Sequence, residues 1–357
     1  MLTLPPTSIR PGERICCAIS GGADSTALLL LLYAANTLPK NSLGVGLSAI
    51  HINHNLRGSE SAVDQTFVQQ LCDSLQIPLQ IQAVATAAHA RTHHQSIEEA
   101  ARNLRYEAFA SLLREGHASA ILTAHTLDDQ AETVLMKLLR GAWLEGLSAI
   151  SPTLELPQGR ILRPLLTLRR EDLRTYLKQR NQPWREDSSN SDEAFTRNRL
   201  RHSILPILRQ ENPSIDITLA NLAELAREEE TRWSTEMSRI LPGLLLPGTP
   251  VRGGGRSNST APGTAALAIE LERLRPLDPA LRRRVIRAAA RQLGARLSFD
   301  ETARILNLAG YPSGLPDPTV PARPGSKLKL AGGLLVERSA RELRFSFKAL
   351  TSVGGVA

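Results

Sequence analysis

The sequence predicts an α/β fold, built on a doubly wound parallel sheet and followed by a smaller, mainly helical C-terminal domain. Short apolar segments alternate with longer segments of helical periodicity over residues 13–139, which is typical of βαβ units. After residue 206 this alternation gives way to long polar and arginine-rich segments. We therefore expect two domains, 1–206 and 207–357, and a chain of 357 residues is long enough for both.

Each element of the first domain is predicted from its local pattern. Four short apolar segments predict buried strands, at 14–19, 45–52, 78–84 and 118–123. Four longer segments predict helices, at 25–38, 62–75, 96–113 and 128–140. Ser96 and Glu99 have the spacing of a capping box at the start of the third helix. We expect that helix to bury one apolar face, made of Ile97, Ala101, Leu104, Ala108 and Leu112.

The C-terminal part carries weaker signals. A long polar helix is predicted from Asn212-Pro213-Ser214 to about residue 240, and an arginine-rich helix over 278–293. Residues 242–264 are of low complexity and predict a flexible loop. Weak alternation over 326–347 predicts a small hairpin about Gly332-Gly333.

Composition narrows the class of protein. The net charge of +8 favours a polyanionic partner, nucleic acid first, although a basic but ordinary enzyme has the same balance. The three cysteines form no CxxC motif, which argues against a structural zinc or dithiol site and fits a reducing cytoplasm. The longest apolar run, 27–35, is too short to span a bilayer. We expect a cytoplasmic protein with no membrane contact.

Three polar clusters follow the first, second and fourth predicted strands. They are residues 20–25, 51–59 and 123–132. Ligands of an open parallel sheet bind beyond the carboxyl ends of its strands. The sequence therefore predicts an active site at this edge of the sheet.

The first cluster has the residues of an anion-binding loop. Gly21 and Gly22 would let backbone amides approach an anion, and the following helix N-terminus would favour it. Hydroxyls come from Ser20 and Ser25, and Asp24 could hold a Mg²⁺ that bridges to a phosphate. The alternative is a tight strand-to-helix turn with Asp24 as a helix cap; the serines favour phosphate.

The other clusters carry charged side chains that fit more than one role. Asp129 and Glu132 lie one turn apart at a helix start, where they could bind an ammonium group or take its proton, or only compensate the helix dipole. Arg102 and Arg105 share a helix face and could contact a phosphate. No carboxylate or thiolate completes a zinc-ligand spacing with the histidines, so we expect structural or nucleotide contacts from His51, His54 and His125.

Arginines in both domains could contact nucleic-acid phosphates. In the first domain they are Arg197, Arg199 and Arg201; in the second, Arg283, Arg287 and Arg291 recur at steps of four on one helix face. A solvated helix face is the alternative for the second group.

The motifs together resemble a known family. The loop SGGADS (20–25) resembles the PP-loop of the ATP pyrophosphatase superfamily. Four further segments resemble motifs of tRNA(Ile)-lysidine synthases: HINHNLRGSES (51–61), EAARNLRY (99–106), TAHTLDDQAET (123–133) and WREDSSNSDEAFTRNRLR (184–201). RPLL (163–166) also fits, and the chain resembles the shorter, two-domain members.

The resemblance implies a two-step reaction that uses ATP, Mg²⁺ and free L-lysine. Cytidine O2 of the wobble position of an isoleucine tRNA with a CAU anticodon attacks the α-phosphate; the lysine ε-amine then attacks C2 and expels AMP. Decoding changes from AUG to AUA, and a homodimer is a further expectation.

The resemblance also implies roles for individual residues. The implied catalytic residues are Asp24 (also the Mg²⁺ ligand), Arg105, Asp129 and Glu132. The implied nucleotide contacts are Ser20, Gly21, Gly22, Ala23, Asp24, Ser25, His51, Asn53 and His125. The implied tRNA contacts are Arg57, Asp128, Arg197 and Arg201, and the arginine stripe of the second domain adds Arg283 and Arg287 as expected tRNA contacts.

Three alternatives stay open on the residues alone. A PP-loop tRNA thiolase would need reactive cysteines, and Cys16 and Cys17 point to opposite faces of a strand. A small-molecule adenylating ligase would need no basic second domain. A non-enzymatic RNA-binding protein would not need Asp24, Asp129 and Glu132 at one sheet edge.

Overall fold

The computed structural model describes residues 2–39, 42–56, 58–186, 195–250, 256–257, 266–311 and 323–347. The chain divides into two compact units, Met1–Glu230 and Thr231–Ala357. This division falls later in the chain than the boundary we expect at residue 206.

The first unit contains the predicted alternation of strands and helices. Its strands are β1 (Arg14–Ala18), β2 (Gly46–Asn53), β3 (Leu79–Ala83), β4 (Ala120–Leu122), β5 (Thr153–Leu156) and β6 (Gly159–Leu162). Its helices are α1 (Ala23–Asn36), α2 (Ser59–Ser74), α3 (Thr86–Thr92), α4 (Ile97–Arg114), α5 (Leu127–Leu139), α6 (Leu144–Leu147), α7 (Arg170–Lys178), α8 (Thr196–Arg199) and α9 (Leu205–Glu211). The long α10 (Ile215–Leu244) begins in the first unit and ends in the second. One π-helical turn, Leu200–Ile204, joins α8 to α9.

The sheet of the first unit has the strand order β3-β2-β1-β4-β6-β5. All neighbours pair in parallel except β5, which is antiparallel to β6 at the edge. The predicted parallel sheet is confirmed, and the β5–β6 hairpin adds an edge that the sequence analysis missed. The strand order reverses between β1 and β4, which is where a doubly wound sheet opens a crevice for a ligand.

Helices cover both faces of this sheet. Cys17 belongs to the core on the face covered by α1, α2 and α7. Cys16, the next residue along the chain, belongs to the core on the other face, against α4. Burial on both faces explains why β1 is apolar without alternation.

The apolar face predicted for α4 is partly wrong. Ala108 and Leu112 are buried as expected, but Ile97 is 46% exposed. The buried face also contains Phe109 and Leu113, which pack on Ile121 and Ile161 of the sheet. The helix face that packs on the sheet is therefore rotated about the helix axis relative to the predicted face. Ile97, in the first turn, lies outside this contact. The expected bond at its start is present, since the Glu99 amide donates to Ser96 Oγ.

The second unit combines the predicted helices with an antiparallel sheet. Its strands are β7 (Leu245–Pro247), β8 (Thr249–Pro250), β9 (Arg256–Ser257), β10 (Ala266–Glu270), β11 (Lys327–Lys329), β12 (Leu334–Arg338) and β13 (Glu342–Phe347). Its further helices are α11 (Leu271–Leu274), α12 (Pro279–Gln292) and α13 (Phe299–Ala309).

The main sheet of this unit has the order β11-β12-β13-β10-β7. The hairpin expected about Gly332-Gly333 is present as β11–β12 and extends into β13. Strand β7 lies inside the segment 242–264 that we predict as a loop. Helices α12 and α13 pack on the sheet through a core that includes Val285, Ile305 and Phe345.

Candidate active site

The three polar clusters meet because their strands are neighbours. Strand β1 pairs in parallel with β2 on one side and with β4 on the other. The carboxyl ends of the three strands therefore lie at one edge, on both sides of the reversal point. His51 and Asn53 are within the last three residues of β2 rather than in the loop after it.

The loop after β1 needs its first glycine for its backbone conformation. Gly21 has φ +91°, and a Cβ there would lie 3.3 Å from Phe67 Cδ1. Its carbonyl accepts a hydrogen bond from the Arg185 amide at 2.9 Å. Gly22 differs, because a Cβ there would meet nothing closer than Ser20 Oγ at 3.5 Å. Packing within the protein does not require a glycine at this second position. We therefore expect the missing side chain to leave room for a ligand.

The two serine hydroxyls organise the loop. Ser20 Oγ and Ser25 Oγ are 3.0 Å apart. The Gly22 amide donates to Ser20 Oγ at 3.3 Å, and Ser25 Oγ donates to the Gly22 carbonyl at 3.0 Å. These bonds hold the loop against the N-terminus of α1, whose amides face the same region.

Asp24 does not cap α1, which removes the alternative explanation of that residue. The N-cap is Gly22, without a side-chain bond to the helix. Asp24 Oδ2 instead accepts from Arg170 Nε at 3.0 Å, and Asp24 Oδ1 is buried with no hydrogen-bond partner among the described residues. Burial raises the pKa of Asp24 above its ordinary value, and Arg170 opposes that rise.

Asp129 completes the capping box of α5, whose N-cap is Thr126, and it also bonds to arginines; its contact with an ammonium group stays a prediction. The Thr126 amide donates to Asp129 Oδ2 at 2.8 Å, and the Asp129 amide donates to Thr126 Oγ1 at 3.3 Å. Arg170 Nη2 and Arg197 Nη2 donate to Asp129 Oδ1 at 2.8 and 3.1 Å. Burial raises the pKa of Asp129, but Arg170 and Arg197 outweigh burial and hold the pKa at about 2.

Glu132 is the most enclosed acid of the site, with a fully buried side chain. Arg197 Nε donates to Oε2 at 2.7 Å, and Arg201 donates to both oxygens at 2.7 and 3.0 Å. Arg170 Nη1 lies 3.6 Å from Oε1. Arg197 and Arg201, predicted to contact tRNA phosphates, thus bind Glu132, and their contact with tRNA stays a prediction.

Asp128, predicted to contact tRNA, faces a different set of partners. Its Oδ2 accepts from the Arg170 backbone amide at 2.8 Å, and its Oδ1 accepts from Arg209 Nη2 at 3.2 Å. Arg209 also forms two bonds to the buried Asp216 in the first turn of α10. These bonds connect α5, α7, α9 and α10 around the site.

Arg105 is the arginine of its pair that points to the site. It affects the titration of His54 and His125, and it has no carboxylate partner among the described residues. Arg102 instead lies over the Tyr106 ring, 4.9 Å from its centroid. An exposed guanidinium without a carboxylate is available for a phosphate.

The remaining predicted nucleotide contacts already have bonds within the protein. His51 Nδ1 lies 2.9 Å from the Ile19 carbonyl. Asn53 Nδ2 donates a hydrogen bond to Gln65, and Asn53 Oδ1 accepts one from the Asn55 backbone amide. His125 Nδ1 bonds to Thr123 Oγ1 at 3.0 Å, and burial lowers the pKa of His125 to about 4. His125 is therefore neutral at pH 7.

Sequence reasoning missed Arg170, which has the most contacts in the cluster. It is the first residue of α7 and lies four residues after the RPLL segment. That proximity was the available signal. Arg163 of the same segment was also missed; it is buried and donates to Tyr106 Oη at 3.0 Å, which fixes the helix that carries Arg105.

Two arginines of the second unit that we predict to contact tRNA have partners within the protein. Arg287 Nη1 donates to the Leu297 carbonyl at 2.6 Å, and Arg283 lies over the Phe299 ring at 5.0 Å. Arg57 lies outside the described residues. The contacts of these three residues with tRNA stay predictions.

One carboxylate oxygen of the site could serve as a protein ligand of Mg²⁺. Mg²⁺ is usually held by one or two carboxylates, substrate phosphates and water, and the free Asp24 Oδ1 fits that role. Among the described residues no group of three or more His, Cys, Asp or Glu side chains could hold a metal by itself. In the same part of the chain no helix is long and apolar enough to cross a membrane.

The fold and the loop define a nucleotide-binding domain of the PP-loop class. Residues 4–208 match the PP-loop domain family, and residues 270–318 match the TilS substrate binding domain. A tRNA(Ile)-lysidine synthase from Solibacter usitatus is 35% identical over 93% of this chain and 67% of its own length. That from Geobacter sulfurreducens is 36% identical over 94% and 66%, and that from Nitratidesulfovibrio vulgaris 34% identical over 84% and 85%.

The chain belongs to the tRNA(Ile)-lysidine synthase family. It spans about two thirds of the length of the Solibacter and Geobacter relatives. Among solved structures, a U34-tRNA thiolase, NcsA, from Methanococcus maripaludis has the same fold, with a TM-score of 0.51, 17% identity and coverage of 63% of this chain and 75% of that one.

Proposed function

We propose that this protein is an ATP-dependent ligase that joins free lysine to C2 of the wobble cytidine of the isoleucine tRNA with a CAU anticodon. The observation that carries this proposal is the junction of two acidic sites at the sheet edge. Asp24, in the nucleotide-binding loop, and Asp129, at the start of α5, bond to the same guanidinium of Arg170. A reaction that brings a nucleotide and an amine to one base needs two such adjacent sites.

The first step would form the adenylated cytidine. Cytidine O2 attacks the α-phosphate of ATP, a P–O bond forms, and pyrophosphate leaves. The amides of Gly21 and Gly22 and the N-terminus of α1 would stabilise the negative charge. Asp24 Oδ1 would hold Mg²⁺, which supplies charge neutralisation at the phosphates. Arg105 would contact a phosphate or the adenylated base.

The second step would use the α5 carboxylates. The lysine ε-amine attacks C2, a C–N bond forms, and AMP leaves with the former O2. Asp129 and Glu132 would bind the ammonium groups of lysine, and one of them would accept a proton released by the attacking amine. Their present partners, Arg197 and Arg201, would have to share these carboxylates with lysine.

The cysteines argue against the thiolation alternative. All three are buried and free of disulfides. Burial raises the pKa of Cys16 to about 12 and that of Cys72 to about 11, and it raises the pKa of Cys17 as well.

 Burial holds the pKa of each thiol above its ordinary value, so none is a thiolate at neutral pH and none is ready to carry sulfur.

The basic charge and the second unit support an RNA substrate over a small molecule. The chain carries a net charge of +8, and its second unit contains the segment matched by the TilS substrate binding domain. We propose that this unit contacts the tRNA away from the anticodon chemistry, and that the protein acts in the cytoplasm. A homodimer stays a prediction, which light scattering on the purified protein would test.

The test is transfer of radiolabelled lysine to RNA. The protein is incubated with ATP, Mg²⁺, labelled lysine and the isoleucine tRNA with the CAU anticodon, with methionine tRNA as the control substrate. We expect label on the isoleucine tRNA alone, and none with Asp24→Ala. Asp73→Ala, at an exposed position near the end of α2, is the matched control and should retain transfer.

Two other outcomes separate the alternatives. RNA-dependent ATP turnover without lysine transfer would keep the adenylating loop and require another nucleophile. No ATP turnover with any RNA would contradict the proposed ligase and favour an RNA-binding protein.

A further inference from the structure

One guanidinium is shared between the two halves of the site. Arg170 Nε donates to Asp24 at 3.0 Å, and Arg170 Nη2 donates to Asp129 at 2.8 Å. Arg170 Nη1 lies 3.6 Å from Glu132, and the side chain is only 17% exposed. A ligand that binds either Asp24 or the α5 pair therefore changes the partners available to the same side chain.

The acidic and basic groups of the cluster are balanced in charge. The three carboxylates are Asp24, Asp129 and Glu132, and the three guanidiniums that contact them are Arg170, Arg197 and Arg201. Arg105 adds positive charge nearby, since it influences the titration of His125. By themselves these residues offer no net negative charge to an incoming ammonium group.

A nucleotide changes this balance. ATP with Mg²⁺ carries net negative charge, and its phosphates beside Asp24 would give the Arg170 guanidinium another anionic partner. An arginine drawn toward phosphates competes less for Asp129 and Glu132. These two carboxylates then become available to the ammonium groups of lysine.

We propose that Arg170 is a positioning residue that couples the nucleotide and lysine sites, so that lysine binds tightly only when nucleotide is present. This inference rests on the proposed function, because it takes lysine as the ligand of Asp129 and Glu132. The coupling is reciprocal, since lysine must raise the affinity for nucleotide by the same factor. It would prevent lysine from occupying the site before the base can be activated.

The geometry requires an arginine for this role. The Nε edge of the guanidinium reaches Asp24 while the two Nη atoms face Asp129 and Glu132. The single ammonium group of a lysine side chain cannot present three separated donors in a fixed plane. Arg170→Lys should therefore keep the charge of the cluster but weaken the coupling.

The first measurement uses the unmodified protein without tRNA. The Kd of radiolabelled lysine is measured by equilibrium dialysis with Mg²⁺ alone and with Mg²⁺ plus saturating α,β-methylene-ATP, which cannot release pyrophosphate. We expect the nucleotide analogue to tighten lysine binding about tenfold, within the usual range for coupled sites. The affinity for the analogue, measured with and without lysine, should change by the same factor.

The second measurement uses variants of α7. Arg170→Met removes the charge but retains much of the volume, and it leaves three carboxylates facing two guanidiniums. We expect it to bind lysine about tenfold more tightly than the unmodified protein when nucleotide is absent, and to show little further change with the analogue. Arg174→Met on the same helix is the matched control, because Arg174 contacts Glu186 instead of the cluster.

Several results would overturn the inference. They are lysine affinity that is independent of the analogue, full coupling in Arg170→Met, and no lysine binding under either condition. The unmodified protein decides the first and third results even where Arg170→Met fails to fold. If lysine transfer to tRNA occurs without this coupling, only the inference fails; if transfer itself is absent, the proposed function fails.

Discussion

Two adjacent glycines in the loop after β1 have different physical reasons to be glycine. Gly21 has a positive φ, and a Cβ there would lie 3.3–3.5 Å from Phe67, Val68 and Arg185. Gly22 has φ −68°, and a Cβ there would make only ordinary van der Waals contacts, with Ser20 Oγ at 3.5 Å and the Arg185 carbonyl oxygen at 3.9 Å. The backbone conformation requires the first glycine, whereas the second serves the approach of a ligand.

Alanine at each position should separate folding from binding. We expect Gly21→Ala to lower the free energy of unfolding by about 1–2 kcal/mol, because an L-residue is strained at that φ. Gly22→Ala should leave that free energy within about 0.5 kcal/mol and weaken ATP binding. Urea titration and equilibrium binding of ATP measure the two effects. Equal destabilisation by both substitutions would contradict this division of roles.

Two half-buried histidines, His54 and His125, should make the fold sensitive to mild acid. Burial lowers the pKa of His54 and of His125 to about 4 from the ordinary 6.5. As the pH falls from 6.5 to 4, the unfolded chain binds protons at these positions and the folded chain does not. The free energy of unfolding must therefore fall across this window, by up to about 1.4 kcal/mol per pH unit for each histidine.

Replacing both histidines tests this assignment. His54→Gln with His125→Gln should flatten the dependence of the unfolding free energy on pH between 6.5 and 4, as measured by urea titration at each pH. His117→Gln, at an exposed position, should leave the slope unchanged. An unchanged slope in the double variant would show that other groups bind the protons.

At the scale of elements, α5 shows what a sequence can predict. The pattern of residues 128–140 gave its length and its stop at Gly141, and the structure confirms both. It could not decide whether Asp129 caps the helix or serves the site, because capping depends on local spacing and the arginine partners come from distant segments. Asp129 does both.

Glu132 should be the main link between α5 and the segment Thr196–Glu211. Its side chain is fully buried and meets Arg197 and Arg201. Glu132→Gln leaves Asp129 as the shared counter-charge of both guanidiniums, so we expect a loss of about 3 kcal/mol in the free energy of unfolding. Glu107→Gln, at an exposed position on α4, is the control and should cause little change. A loss below about 1 kcal/mol would show that the arginines find other partners.

At the scale of the whole molecule, topology places the predicted clusters together, but pairing across long separations stays hidden from the sequence. Asp24 and Arg170 are separated by 146 positions along the chain and bond at 3.0 Å. The β5–β6 hairpin precedes α7 and leads the chain back to the site, and its short strands carry little periodicity. Because the sequence analysis did not predict that hairpin, no local pattern assigned Arg170 to the cluster.

The salt dependence of tRNA binding tests whether the positive charges of the protein contact the phosphates of the RNA. Arg283 and Arg291 lie on α12, where we propose that they contact phosphates. Their replacement by alanine should weaken tRNA binding and reduce the slope of log K against log salt by up to about 0.9 per lost contact. ATP binding should stay unchanged, because the nucleotide loop belongs to the first unit.

Removing a positive charge elsewhere in the protein tests whether the salt dependence of tRNA binding reflects the position of the arginines or only the total charge. Arg114→Ala removes one exposed positive charge near the C-terminus of α4, which leads into the amino end of β4, at the opposite edge of the sheet from the site. If α12 contacts tRNA directly, the α12 variant should change the slope and Arg114→Ala should not. Equal changes per charge removed would assign the effect to the overall field, and the arginines of α12 would then be an ordinary solvated face.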